Sequence, residues 1–166
     1  SENGQTKLEG ICKDGKMEGA WTQWDEQGNV TKLATYYEAG QQGTEETFKD
    51  GKREGAWMHW YRNGQKWVEG TYKAGEREGV HTSWHDNGQK SSEAKFKAGE
   101  MEGVYATWHR NGQKSSEATY KDGRLLGSWT EWDAQGNVTA TRTFKNGQLR
   151  GEETCLLYTS PSPRDR

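Results

Sequence analysis

The residues able to do chemistry recur in columns instead of gathering in one place. Glu54, Glu78 and Glu102 are spaced by 24, and so are Glu69, Glu93 and Glu117. A catalytic acid–base pair is singular, because different surroundings must tune its two members apart. Carboxylates repeated in every unit are expected to form a solvated ladder. Distance tests the histidines. His85 and His109 occupy equivalent positions, two strands apart in a sheet, or ~9.5 Å at the usual strand spacing. His81 and His85 lie four residues apart on one strand, ~13 Å at the usual rise. Zinc holds two ring nitrogens within ~4 Å of each other, so metal ligation is not expected, nor is any cofactor. The chain has no Gly-x-Ser-x-Gly elbow, no phosphate-binding Gly-Lys-Ser/Thr loop and no Cys-x-x-Cys pair. Cys12 stands where other units carry Tyr, and Cys155 lies in an atypical terminal segment; both read as isolated thiols. These observations point away from an enzyme.

The elements that position these columns are set by glycine. Gly51, Gly75, Gly99, Gly123 and Gly147 are spaced by 24, each after an aromatic–Lys pair such as Phe48-Lys49 or Tyr72-Lys73. Four residues later comes a second series: Gly55, Gly79, Gly103, Gly127 and Gly151. Between them lie Asn63-Gly64-Gln65, Asn87-Gly88-Gln89, Asn111-Gly112-Gln113 and the variant Gln135-Gly136-Asn137. An earlier copy runs from Cys12-Lys13-Asp14-Gly15 through Gln27-Gly28-Asn29. Turn residues every 11 or 13 positions predict β-hairpins in series. The Asn-Gly turns read as the tight ones, with positive φ supplied cheaply. The Asp-Gly-Lys-Arg-Glu-Gly stretch reads as a longer loop closed by its two glycines. The fold class is therefore all-β, an elongated antiparallel β-meander of 24-residue hairpin repeats with roughly twelve strands. One array is expected over residues 1–154.

One place breaks the period. Gly40 and Gly51 are 11 apart, and Tyr37-Glu38-Ala39-Gly40 reads as the same kind of turn as Phe48-Lys49-Asp50-Gly51. The Asn-Gly half-unit between them is missing. If both turns reverse the chain, every later turn exchanges sheet edges. A bulge, a joint near residues 41–43 or an assembly error would each account for it.

Composition limits the rest. Of 166 residues only 29% are hydrophobic and 29% are charged, with a mean hydropathy of −1.27. Those values are typical of disorder, yet nine Trp and 22 Gly argue for ordered strands that put their apolar material into rings. No apolar run approaches a membrane-spanning length. A net charge of −2 gives no overall pull toward nucleic acid. The chain begins at Ser1 without a leader, which suggests a fragment and leaves localisation unread. Residues 155–165 carry both prolines and no repeat position, and they resemble the in-frame translation of a sequencing-library adaptor. Residues 155–166 are accordingly expected to be a non-native tail.

Alternation groups Ala56, Met58 and Trp60 on one face with Val80, Thr82 and Trp84, Val104, Ala106 and Trp108, and Ser128, Thr130 and Trp132. Return strands are expected to add Val68, Tyr72, Ala94, Phe96, Ala118 and Tyr120 to that face. The opposite face receives Trp57, His81, Tyr105 and Trp129 near the turns, and otherwise His59, Ser83, Thr107, Glu131 and the Glu69/Glu93/Glu117 column. A one-layer sheet has no second layer to cover apolar rings, and contiguous apolar surface marks binding. The expected partner surface is Trp60, Trp84, Trp108, Trp132, Tyr72, Phe96 and Tyr120.

The pattern Tyr-Lys-x-Gly-x-x-x-Gly-x-Trp-x-x-Trp-x-x-Asn-Gly-Gln-Lys resembles the MORN-repeat variant of bacterial YwqK-type proteins. Lys52-Arg53-Glu54-Gly55-Ala56-Trp57 and Trp60-Tyr61-Arg62-Asn63-Gly64-Gln65-Lys66 carry it most closely. It covers residues 3–154, with departures at His81, Tyr105 and the short unit near Gly40. The resemblance implies an elongated antiparallel sheet and binding instead of chemistry. For YwqK-type members it implies an antitoxin whose protein partner is a toxin. Other MORN proteins are scaffolds, membrane-associated modules or appendages of kinases and methyltransferases. A lipid-headgroup module is thus the alternative, along the rim of Lys49, Lys73, Lys97, Lys121 and Lys145. Asp50, Asp122, Glu76 and Glu100 would cancel much of that field, which salt screens at ~8–10 Å. A repeat arm of an enzyme is a third reading, and a choline- or glycan-binding repeat a weaker fourth.

Overall fold

Short alternating segments rich in Thr, Val and aromatic residues, cut at regular intervals by X-Gly pairs, can satisfy their backbone only by pairing with sequence neighbours. The computed structural model, which describes residues 7–150 and 154–155, shows this outcome as one open antiparallel sheet. Its strands are β1 (Lys7–Lys13), β2 (Lys16–Trp24), β3 (Val30–Tyr36), β4 (Gln42–Lys49), β5 (Lys52–Trp60), β6 (Lys66–Lys73), β7 (Glu76–Trp84) and β8 (Lys90–Lys97). They continue with β9 (Glu100–Met101), β10 (Gly103–Trp108), β11 (Lys114–Lys121), β12 (Arg124–Trp132), β13 (Val138–Lys145), β14 (Gln148–Leu149) and β15 (Thr154–Cys155). Strand order follows chain order throughout. Both β9 and β10 pair with β8, and both β14 and β15 pair with β13, so each couple replaces one longer strand. Thr154 and Cys155 pair with Thr141 and Ala140; Gly151 and residues 156–166 lie outside the described residues.

The two turn types are the reverse of those expected. Lys49 pairs with Lys52, so Asp50-Gly51 is the tight two-residue turn, with φ of 50° and 74°. The Asn-Gly turn is a five-residue loop: Tyr61 N–H donates to Gln65 O (2.8 Å) and Gly64 N–H to Tyr61 O (2.9 Å). Here a side chain closes the loop. Asn63 Oδ1 accepts from Gln65 N–H (3.0 Å), while its Nδ2 donates to Asp86 O in the next unit (2.7 Å). In the variant turns this task moves to the first residue. Asp25 and Asp133 accept from the backbone N–H of Asn29 and Asn137, both at 2.8 Å. Hydrogen bonds from the side-chain amides of Asn29 and Asn137, together with these backbone ones, hold both carboxyls below the usual Asp range. The second glycine series does not belong to a turn: Gly55 (φ 88°) sits inside β5 where the register slips between Glu46 and Phe48, a β-bulge.

The joint near Gly40 also resolves. The loop at 37–41 has the hydrogen bonds of the Asn-Gly loop 24 residues later: Tyr37 N–H to Gln41 O (2.7 Å) and Gly40 N–H to Tyr37 O (3.2 Å). Tyr37 Oη donates to Trp60 O (3.1 Å), just as Tyr61 Oη donates to Trp84 O (2.9 Å). The Gly40 turn is therefore not of the Asp-Gly kind, despite its sequence. Strand β3 serves two units at once. Toward β2 it is a return strand, pairing Ala34 with Trp21 as Gly70 pairs with Trp57. Toward β4 it is an outgoing strand, pairing Thr35 with Thr44 as His59 pairs with Val68.

Losing one strand has a geometric consequence. Advancing an antiparallel meander by one strand while keeping its order is a half-turn about the long axis of the sheet. That operation exchanges edges and also faces. Ala34 faces Glu45, which faces Met58, whereas Leu33 faces Glu46, which faces Trp57. Trp21 and Ala34 therefore lie on the opposite side of the sheet from Trp57. No described side chain is fully buried; the most covered apolar residues are Ala34, Ala94, Phe96, Ala106, Ala118 and Ala140. The described residues form one layer, and each face must be judged separately.

Candidate functional site: the ring-lined face of the sheet

From β5 onward one face, here the ring face, carries Trp57, His81, Tyr105 and Trp129 on outgoing strands. Gly70, Ala94 and Ala118 stand opposite them on return strands. Large and small side chains thus alternate along the sheet. A Cβ at Gly70 would lie 2.4 Å from His81 Nδ1 and 2.6 Å from Trp57 Nε1, so the missing side chain is what admits both rings. His81 is buried, 4.8 Å from Phe96 and 6.0 Å from both Tyr72 and Trp57 by ring centroids. Its Nε2 donates to Thr71 O (3.0 Å). Burial, with a contribution from the cationic Arg77, pushes its pKa below the ordinary histidine value. Tyr105–Tyr120 (6.2 Å) and Trp129–Phe144 (6.2 Å) continue the ring contacts.

Several polar groups on the ring face are matched internally, while Trp57 Nε1 and Trp129 Nε1 are buried without a hydrogen-bond partner among the described residues. Arg53 stacks over Tyr72 (5.3 Å) and grips Glu46 with Nε at 2.9 Å and Nη2 at 3.3 Å. Arg142 lies over Trp129 (5.9 Å) and pairs with Glu131 (3.2 Å). A hydroxyl row crosses the strands, with Ser83–Ser92 at 2.9 Å and Thr107–Ser116 at 2.7 Å. A shallow depression of about 270 Å³ is lined by Trp57, Arg77, His81, Ser83, Ser92 and Tyr105, among others.

The expected partner surface is split by this geometry. Tyr72, Phe96 and Tyr120 lie on the ring face; Trp60, Trp84, Trp108 and Trp132 lie on the other. The sequence reading carried alternation across a two-residue Asn-Gly turn. The actual five-residue loop is followed by a slip between His59 and Trp60, which places every return-strand residue on the face opposite to that expected. Val68, Ala94 and Ala118 move with them. On the opposite, charged face, Lys66 covers Trp84 (5.5 Å), Lys90 covers Trp108 (5.1 Å) and Lys114 covers Trp132 (5.9 Å). Lys66 pairs with Glu69 (2.5 Å), Lys90 with Glu93 (2.6 Å) and Lys114 with Glu117. Thr82 and Ala106, the register partners of Glu69 and Glu93, are buried.

The remaining columns hold neighbouring units together. Glu54, Glu78 and Glu102 are not a free solvated ladder: each accepts a turn N–H 20 residues on, from Ala74 (2.6 Å), Ala98 (2.9 Å) and Asp122 (3.1 Å). At the other edge His85 Nε2 donates to Trp108 O (2.8 Å) and His109 Nε2 to Trp132 O (2.9 Å), repeating the bond of Tyr61. Lys73 and Lys97 flank their tight turns opposite Glu76 and Glu100, whereas Lys121 faces Arg124. Cys12 is a free, exposed thiol. Among the described residues no group of three or more His, Cys, Asp and Glu is placed to hold a metal ion.

Residues 53–74, 77–98 and 101–122 match the MORN repeat variant. Each matched MORN segment contains an outgoing strand, the five-residue loop and a return strand, which identifies the repeat as the hairpin of the ring face. The comparison with curated proteins finds no match. The same hairpin geometry continues past the matched segments: β12 and β13 repeat the register slip and pair residue 127 with 144 as 55 pairs with 72. The array is a repeat scaffold. What sequence reasoning missed is the membership of its faces. The large–small alternation of the Trp57 column against Gly70, Ala94 and Ala118 was the available signal.

Proposed function

We propose that the chain is a non-enzymatic scaffold that binds a protein partner across its ring face. The observation that carries this reading is a row of rings from Trp57 to Phe144, half-buried apart from the buried His81 and Phe96, with no second layer over it among the described residues. The charged face is a weaker candidate, because Trp84, Trp108 and Trp132 already lie beneath lysine arms that are paired with glutamates. The same partition favours protein over lipid. Arg53 and Arg142 on the ring face have carboxylate partners, and two of the five rim lysines face glutamates, while Lys49 faces Lys52 and Lys121 faces Arg124; the cations at the rim are thus partly offset and not gathered into one patch for a headgroup. The YwqK-type resemblance makes a toxin the partner class to examine first. The use of the chemistry-bearing columns as inter-unit ties supports the non-enzymatic part of this reading.

Photo-crosslinking tests this. A photoreactive residue at Ser92 reports on the ring face, and one at Val80 (53% exposed) reports on the charged face. In extracts of the source cell, a specific protein adduct is expected from position 92 and not from position 80. Adducts from position 80 alone, or co-sedimentation with anionic vesicles that depends on Lys121 and Arg124, would contradict the reading.

A further inference from the structure

We propose that the partner segment on the ring face is acidic and places a carboxylate against Arg77. This rests on the ring face being the binding surface. The array itself supplies the argument, by comparison of one unit with the next. Arg53 and Arg77 are equivalent positions 24 residues apart. Arg53 lies over Tyr72 and is gripped at two points by Glu46. Arg77 lies over Phe96 in the same way, at 5.2 Å. The residue equivalent to Glu46, however, is Gly70, and Arg77 makes no ion pair among the described residues. No internal carboxylate can fill that position, because a side chain at Gly70 would collide with His81 and Trp57. The next two units have Met101 and Leu125 in place of the arginine, so in them cation and anion are both gone. Only at Arg77 is the cation kept without its counter-ion.

The surroundings suit a carboxylate. The guanidinium over the Phe96 ring offers a planar fork of donors, which matches a carboxylate at two points. The Ser83 and Ser92 hydroxyls line the same depression, and Trp57 and Tyr105 form its walls. A partner segment with Asp or Glu flanked by apolar side chains meets all of these. The nearby histidine does not compete for the anion, since burial keeps His81 toward its neutral form.

A random peptide library displayed against the full chain tests the inference. Selected peptides are expected to carry Asp or Glu beside apolar residues, and to crosslink through a photoreactive residue at position 92. Arg77→Met should lower their affinity about tenfold or more, as expected for a lost charge-assisted bond. Methionine already serves at position 101, so the fold should tolerate it. Arg77→Lys should recover only part of the loss, because an ammonium offers no fork. Lys95→Met, an exposed cation opposite Val80 on the charged face, should change affinity less than about twofold. Ring-face peptides that lack acids, or that bind Arg77→Met undiminished, overturn this inference and leave the proposed function standing. Selection that yields no ring-face peptide overturns both.

Discussion

Gly70 and His81 show how single residues decide what the ring face is made of. Gly70→Ala places a Cβ against two rings at once and should destabilise the fold by ~1–3 kcal/mol, the usual range for overpacking. Ala94→Gly, at the equivalent position one unit on, should cost only ~0.5–1 kcal/mol through backbone entropy. Urea unfolding of the two variants decides; an inert Gly70→Ala would mean that the rings are not packed as described. His81 makes stability depend on pH. Its folded pKa lies below the unfolded value near 6.5, so below that value the unfolded chain binds the extra proton more readily. Its contribution is therefore complete above pH ~6.5 and is lost as pH falls beneath it. His81→Tyr, which installs the residue found at 105, should flatten the melting-temperature profile between pH 7.5 and 5.5. An unchanged slope would place the titration elsewhere. The Trp57–His81–Tyr105–Trp129 column was visible in the sequence, but the return-strand residues that share its face were not. Their face depends on a loop length which the residues around Asn63 do not announce.

At the scale of the element, turn positions were legible and turn types were not. Glycine spacing located every reversal, yet both kinds of turn contain X-Gly, and the Asn-Gly loop is closed by a side chain bonding into the next unit. The tight turns carry an independent signature. Their first residue has positive φ: Asp at 14, 50 and 122, Asn at 146, but Ala at 74 (52°) and 98 (48°). Asn tolerates that region better than Ala. Ala74→Asn and Ala98→Asn should each stabilise by ~0.5–1 kcal/mol, seen as a higher urea midpoint at unchanged slope. A lower midpoint would argue that these turns are not built as two-residue reversals.

At the scale of the whole molecule, strand parity governs which surfaces are continuous. Each 24-residue unit contributes two strands and preserves both faces, so excising residues 76–99 should leave a shorter, cooperatively folding array whose denaturant slope falls with its size. Strand β3 shows that one lost strand can also be accommodated, at the cost of turning the sheet over. The edge exchange could be read from the 11-residue spacing of Gly40 and Gly51. The face exchange could not, since it required knowing that β3 belongs to two units. As a result the rings of the first unit, Trp21 and Tyr36, are separated from the continuous ring face that begins at Trp57. The central claim is that this continuous face is the docking surface, and two added charges test it most directly. Ser92→Glu puts an anion in the middle of the ring face; Val80→Glu puts one on the exposed charged face. The measurement is the affinity of the crosslinked and purified partner for each variant, with melting temperature recorded beside it. The account predicts a loss of ~2 kcal/mol or more for Ser92→Glu, as at the centre of an interface. For Val80→Glu it predicts less than ~0.5 kcal/mol. Full affinity in Ser92→Glu together with lost affinity in Val80→Glu would contradict it and move the function to the other side of the sheet.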